Sequence, residues 1–152
     1  CASCEEAVMV LATAKAQAVA KHYPDAVVIG ADTSVTIDGF VLGKPAGHHE
    51  AREMLRALSG RQHQVMSGVC VCYHGQSVCG CEITAVTFRT LTDREIESYI
   101  AAEPPFDKAG AYGIQGLAAL FIQQINGDYY NVMGLPLFRL GQILESLRIR
   151  LL

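Results

Sequence analysis

Two capping boxes constrain this chain more than any other feature: Ser3 with Glu6 and Thr92 with Glu95 each mark the start of a helix. In each, a hydroxyl and a carboxylate satisfy backbone N–H groups that a first helical turn leaves unpaired. The first helix carries a stripe of Val8, Leu11, Ala12, Lys15 and Val19 towards His22, and Pro24 ends it. A strand at Ala26 to Gly30 leads into Ser34 to Ile37, and Asp38-Gly39 turns the chain into Phe40-Val41-Leu42. A second helix places Ala51, Met54, Leu55 and Leu58 on one face and stops at Ser59-Gly60. Two long strands follow, Gln64 to Tyr73 and Val78 to Arg89, joined around His74-Gly75-Gln76. The Thr92 helix turns Ile96, Tyr99 and Ile100 to the core before Pro104-Pro105 closes it. Ala119 to Ile125 then reads as a buried strand, Asn126-Gly127 as a turn, and Pro136 as the first residue of a last helix that buries Leu137, Leu140, Leu144 and Leu147. The order of elements is mixed α/β in one piece.

A length of 152 residues with 51% hydrophobic content supports one domain with a substantial core. The net charge of -3 argues against a nucleic-acid polymer as partner, because binding many phosphates needs a broad basic surface. A small polyanion needs only local positive charge. No apolar run approaches the ~18 residues of a membrane span, and no signal peptide opens the chain, so the cytoplasm is the expected compartment.

Only four lysines occur, and one stands in Phe106-Asp107-Lys108-Ala109-Gly110-Ala111-Tyr112-Gly113-Ile114-Gln115-Gly116. Three glycines there read as backbone able to approach an anion closely. A second lysine stands in Gly43-Lys44-Pro45, and Gly30-Ala31-Asp32-Thr33 puts a carboxylate where a buried strand should end. A nucleoside triphosphate brings about four negative charges, commonly offset by lysines and bound Mg²⁺. Lys44 and Lys108 suit the first role, and Asp32 suits metal holding or proton acceptance from an attacking water. Gln115 offers a donor and an acceptor, matching the imide edge of uracil or thymine, and Thr33 adds a hydroxyl. Each has a structural counter-reading: Asp32 as a turn or cap residue, Lys44 as a solvated loop residue, Lys108 as a surface partner of Asp107, and Gln115 as a local backbone partner.

Taken together with Met54-Leu55, Leu58-Ser59-Gly60 and Gly127-Asp128-Tyr129-Tyr130-Asn131-Val132-Met133-Gly134-Leu135-Pro136, these blocks resemble the Maf family of nucleotide pyrophosphatases over nearly the whole chain. The resemblance implies one Maf-like domain over residues 1–152, an α/β fold of mixed sheet and flanking helices, and two lobes with a central cleft. It implies hydrolysis of a nucleoside triphosphate to monophosphate and pyrophosphate, assisted by a divalent cation, Mg or Mn. By likeness Asp32 is the proton acceptor and metal ligand, Lys44 and Lys108 are phosphate contacts, and Thr33 and Gln115 are specificity positions. Ala-Asp-Thr with Asp-Lys-Ala-Gly-Ala-Tyr-Gly-Ile-Gln-Gly is similar to the branch acting on dTTP and UTP. A 7-methyl-GTP pyrophosphatase, or a non-catalytic nucleotide-binding regulator of cell division, is the alternative, and a homodimer is compatible with the family. The family's usual first strand and Ser-x-Arg-Arg loop are not matched, so the chain is expected to begin inside the family's first helix region with a weakened phosphate grip.

Six cysteines without a secretory signal are expected to be free thiols. A loop at Gly75-Gln76 would set Cys72 opposite Cys79 and Cys70 opposite Cys81, all on one face. Small buried hydrophobes are the expected role, with structural zinc, a redox module or cross-strand disulfides as alternatives. His48-His49 reads as a solvated loop pair before a helix, and His22, His63 and His74 show no ligand spacing.

Overall fold

Ser3 accepts a hydrogen bond from the Glu6 amide at 3.2 Å, and the Glu6 carboxylate accepts one from the Ser3 amide at 3.2 Å. That capping box opens α1, Cys4–Ala20, in the computed structural model, which describes residues 3–152. The remaining elements are β1 Val28–Ile37, β2 Phe40–Leu42, α2 His48–Leu58, β3 Gln62–Tyr73, β4 Gln76–Phe88, α3 Asp93–Ala102, β5 Ile122–Asn126, α4 Tyr129–Met133 and α5 Leu137–Ser146. The strands form one sheet in the order β2-β1-β3-β4-β5, giving the expected mixed α/β architecture. The chain divides into two compact units, one built from residues up to Thr33, Met66–Ile83 and Asp128–Leu152, the other from Ser34–Val65 and Thr84–Gly127. Among the described residues no helix is long and apolar enough to cross a membrane.

In the first unit α1 does not bury the stripe its sequence advertises. Val8, Ala12 and Ala16 are buried, while Leu11 and Val19 stay about half exposed at 49% and 47%. The cause is a close approach of helix to strands. A Cβ on Gly68 of β3 would strike the Val8 carbonyl, and one on Gly30 of β1 would lie 2.7 Å from the Ala16 amide nitrogen. Only small side chains fit a seam that tight, so the leucine and valine rotate outward.

The two faces of β3 serve different helices. Cys70 and Cys72 cluster with Ala12, Ala16 and Val28, while Val69 and Val71 cluster with Leu140, Ile143 and Leu144 of α5. That division follows from the strand's alternation of side chains. Helix α5 starts at Leu137 with Pro136 as its N-cap, one residue later than expected, and it buries Ile143 and leaves Leu137 exposed. Positions 140, 143 and 144 share a helical face that position 137 only borders. Helix α4 was not anticipated; Asp128 caps it by accepting from the Tyr130 amide at 2.7 Å, and Gly134 ends it at φ 113.

Three further expectations change. β1 is one unbroken strand, so Asp32 and Thr33 lie mid-strand rather than at its end. The buried strand expected from 119 shortens to β5, a largely exposed edge strand, because residues Leu117–Leu120 wind into a 3₁₀ turn. His48 and His49 belong to the first turn of α2 instead of a loop, with His48 Nε2 2.7 Å from Glu97. The remaining punctuation follows its sequence signals. Asp38 and Gly39 take φ 51 and 80 between β1 and β2, the left-handed pair a two-residue hairpin demands. Thr92 and Glu95 form the second capping box, and α3 buries Ile96, Tyr99 and Ile100.

Gly68→Ala is expected to destabilise the chain by about 1–3 kcal/mol through overpacking against α1. Gly141→Ala on α5, where a Cβ meets nothing within 4 Å, should instead stabilise by about 0.5–1 kcal/mol. Thermal unfolding midpoints moving in opposite directions would check both.

Candidate active site

In the first unit, Lys15 projects from α1 onto β1. Its Nζ donates to Asp32 Oδ1 at 2.6 Å and to the Ala31 carbonyl at 3.1 Å. Asp32 is the more enclosed partner, with its side chain 19% exposed against 57% for Lys15. Thr33, the next residue along the strand, turns to the other face and meets Ser67 of β3, hydroxyl to hydroxyl at 2.7 Å. Ser67 donates its one proton to the Asn131 carbonyl at 3.0 Å, so Thr33 is the donor of the pair and keeps only acceptor capacity for a ligand. Asn131 itself is fully buried. A Cβ on Gly134 would stand 3.5 Å from Thr33 Oγ1, so the α4 turn closes over that hydroxyl.

In the second unit, the two lysine loops are joined through backbone: the Gly110 amide donates to the Gly43 carbonyl at 3.1 Å. Gly110 and Ala111 both take left-handed conformations, φ 71 and 62. The alanine tolerates this strained geometry in a fully buried position, which its packing over-determines. Lys108 Nζ donates to Asp107 Oδ1 at 3.1 Å. Lys108, and more weakly Lys44, hold the Asp107 carboxyl below its usual range. Lys108 is therefore the cation paired with this exposed carboxylate. The Lys108 stem lies across Gly113, where an added Cβ would be 2.7 Å from Cε.

The glycines of this segment do not form the anion cradle their sequence suggests. Gly110 N–H is spent on Gly43, Gly113 N–H on the Tyr99 hydroxyl at 3.4 Å, and Gly116 N–H on the Gly113 carbonyl at 3.4 Å. Their role is steric and conformational. Gly116 makes room for Glu103, whose carboxylate accepts from the Leu117 amide at 3.1 and 3.0 Å. Gln115 is exposed. The segment is anchored by Tyr112, whose hydroxyl lies 2.6 Å from His63 Nε2 within a cluster of edge-on rings with Phe88.

The sequence-derived residues thus fall into two groups, Asp32 with Thr33 in one unit and Lys44 with Lys108 and Gln115 in the other. Lys108 does pair with Asp107, as its structural reading held, and its loop is bonded through backbone to the loop of Lys44. The residues sequence reasoning missed are Lys15, Ser67 and Asp107 as site members. Lys15 carried a usable signal, a lysine inside an apolar helical stripe. No group of three or more His, Cys, Asp or Glu able to hold a metal occurs among the described residues. Mg²⁺ commonly takes only one or two carboxylates and completes its shell with water and substrate phosphates, and Asp32 with one oxygen on Lys15 fits that sparse donor set.

The cysteine register also changes. The β3–β4 turn is His74-Gly75, with φ 47 and 76, one residue earlier than expected. Cys72 Sγ consequently sits 3.3 Å from Ser77 Oγ, and Cys70 Sγ 2.7 Å from Cys79 Sγ. Cys4, Cys70, Cys72, Cys79 and Cys81 are free thiols.

Comparison with known proteins places these features in context. The sequence profile described as "Maf: Maf-like protein" matches residues 2–147. A Bacillus cereus protein named dTTP/UTP pyrophosphatase is 50% identical over 139 residues, covering 91% of this chain and 73% of its own. One of the same name from Bacillus mycoides strain KBAB4 is 51% identical over 139 residues, again 91% and 73%. A third, from Bacillus cereus strain AH187, is 50% identical over 142 residues, 93% and 74%.

Burial pushes the His63 pKa from 6.5 down to about 4, so the folded chain holds it neutral. The unfolded chain binds the extra proton first, and the stability present above pH 6.5 is lost as pH falls towards 4, by at most about 1.4 kcal/mol per pH unit. Urea unfolding at pH 7 and pH 5 should show this loss in the wild type and a flatter dependence in His63→Gln.

Proposed function

The chain belongs to the Maf family, and from that premise we propose that it hydrolyses dTTP and UTP to the nucleoside monophosphate and pyrophosphate. Residues 1–152 are read as one catalytic domain of this type. The observation that supports the reading is the joining of two loops that each carry an exposed lysine, Lys44 and Lys108, by the Gly110–Gly43 bond. The relatives named for dTTP and UTP support the choice of substrates.

Each residue then has a defined task. Lys44 and Lys108 bind phosphate oxygens, and Lys108 exchanges its Asp107 partner for the ligand. That exchange is favourable because an exposed ion pair contributes little, whereas a charge-assisted bond to phosphate is stronger. Asp32 accepts the proton of the attacking water. An ordinary aspartate, pKa ~3.9, is a weak base, so its value lies in position. Lys15 fixes that position by gripping one carboxylate oxygen and the adjacent carbonyl. Asp32 is also the residue that would hold a divalent cation, Mg²⁺ or Mn²⁺, whose chemistry when bound is to lower the pKa of a coordinated water. Gln115 presents its amide to the pyrimidine imide edge, and Thr33, as an acceptor, complements a donor on the nucleotide.

Pyrophosphate release from dTTP, UTP, CTP and 7-methyl-GTP with Mg²⁺ or Mn²⁺ tests the reading. Turnover should favour dTTP and UTP and stop with a chelator. Asp32→Asn should lower kcat by about 10²–10⁴-fold. Lys108→Met should weaken substrate binding by about 10–100-fold. Gln115→Leu should erode the preference for dTTP and UTP over CTP. Turnover of 7-methyl-GTP alone would overturn the substrate assignment, and nucleotide binding without release by folded protein would overturn catalysis in favour of a binding role.

A further inference from the structure

Two thiols touch on neighbouring strands, and nothing in the proposed chemistry uses them. Cys79 of β4 donates to Cys70 of β3 with sulfurs 2.7 Å apart. Counting back from the His74-Gly75 turn sets these residues opposite one another, and Cys72 opposite Ser77, in agreement with the side-chain contacts. Residues facing each other across antiparallel strands lie about 4.5–5.5 Å apart at Cα. A disulfide spans roughly 4.4–6.8 Å between Cα atoms, so the backbone need not move to form one.

The two sulfurs are unequal. Cys70 is buried among Ala12, Ala16, Val28 and Cys72, whereas Cys79 is exposed. Thr13 of α1 donates its hydroxyl proton to the Met9 carbonyl at 2.7 Å, and its oxygen packs 3.0 Å from Cys79 Sγ, which seats that sulfur between Thr13 and Cys70. Burial, then the bond from Cys79, raises the Cys70 pKa to about 12, so Cys70 remains a thiol while Cys79 meets solvent. The neighbouring Cys81 is held up to about 11 by burial and then by Glu5, which makes it a poor competitor.

We propose that Cys70 and Cys79 form a dithiol–disulfide pair oxidised by peroxide, with Cys79 as the entry point. The Cys79 sulfur attacks one peroxide oxygen, the O–O bond breaks, and Cys79 becomes a sulfenic acid as one water leaves. The Cys70 sulfur then attacks the Cys79 sulfur. The S–S bond forms as the S–O bond breaks, and the departing hydroxide takes the Cys70 proton as a second water. Two thiols are oxidised by two electrons, and one peroxide is reduced to two waters.

The test is mild hydrogen peroxide treatment of the intact chain, denaturation and chymotryptic digestion without reduction, since Tyr73 separates Cys70 and Cys72 from Cys79 and Cys81. A linked peptide about 2 Da lighter than its two halves, released by dithiothreitol, is expected. The Cys72→Ala, Cys81→Ser double variant leaves only Cys70 and Cys79 in the hairpin and should still link. Cys79→Ser, a change at an exposed position, should not. Loss of the link in the double variant while circular dichroism stays native, or accumulation of Cys79 sulfinic acid in its place, would overturn the proposal.

Discussion

The seam between α1 and the strands beneath it governs the first unit. Helix and sheet meet at Gly30 and Gly68, where a single added carbon would collide with helix backbone. Ala12 and Ala16 lie in that seam, and Lys15 stands between them on the helix. Fixing the two alanines therefore fixes where Lys15 can reach, and the place it reaches is Asp32. The same contact presses Cys70 under the helix and brings Thr13 to Cys79. A larger residue at either glycine would shift all these partners together, so packing and chemistry here share one cause.

The second unit uses glycine differently. Its critical constraint is a buried polar pair, His63 and Tyr112, set in aromatic surroundings that leave the imidazole neutral. Tyr112 follows two residues of left-handed backbone, Gly110 and Ala111, and only its burial holds the alanine there. The reward for that strain is placement. Gly110 reaches the Gly43 carbonyl, which ties the Lys44 loop to the Lys108 loop without any side-chain contact between the lysines. Lys108 keeps Asp107 as its ion partner and lays its stem across Gly113.

Which features were legible in the sequence follows from how local their causes are. Both capping boxes, the Asp38-Gly39 turn and the buried face of α2 depend on residues within one turn or one hairpin, and they appear as read. The orientation of α1 depended on glycines about 18 and 60 residues away in sequence, so its stripe misled. The hairpin turn moved by one residue, and each cysteine's cross-strand partner by two, because His74, not an obvious left-handed residue, takes φ 47. Continuity of β1 through Asp32 was hidden because a mid-strand carboxylate is tolerated only when a partner such as Lys15 meets it. The candidate site residues were picked out by pattern, and Asp107 beside Lys108 was readable as a pair of sequence neighbours, while the contacts of Lys15 with Asp32 and of Ser67 with Thr33 join distant segments.

Those partners bear on how a chain of net charge -3 can bind a polyanion at all. A lysine held bare at a site would attract adventitious anions, and an unpaired carboxylate would repel the substrate. Here Lys15 covers Asp32, and Asp107 covers Lys108. The two pairs differ in a way that matches their tasks. Asp32 is enclosed and its pair is short, so it resists exchange and holds geometry, whereas Asp107 and Lys108 are exposed and a longer 3.1 Å apart. On the proposed function, the looser pair is the one that opens when phosphate arrives. The Gly110–Gly43 bond ties the loop carrying the exposed pair to the loop carrying Lys44 through backbone, so the pair can be loose without the loops being so.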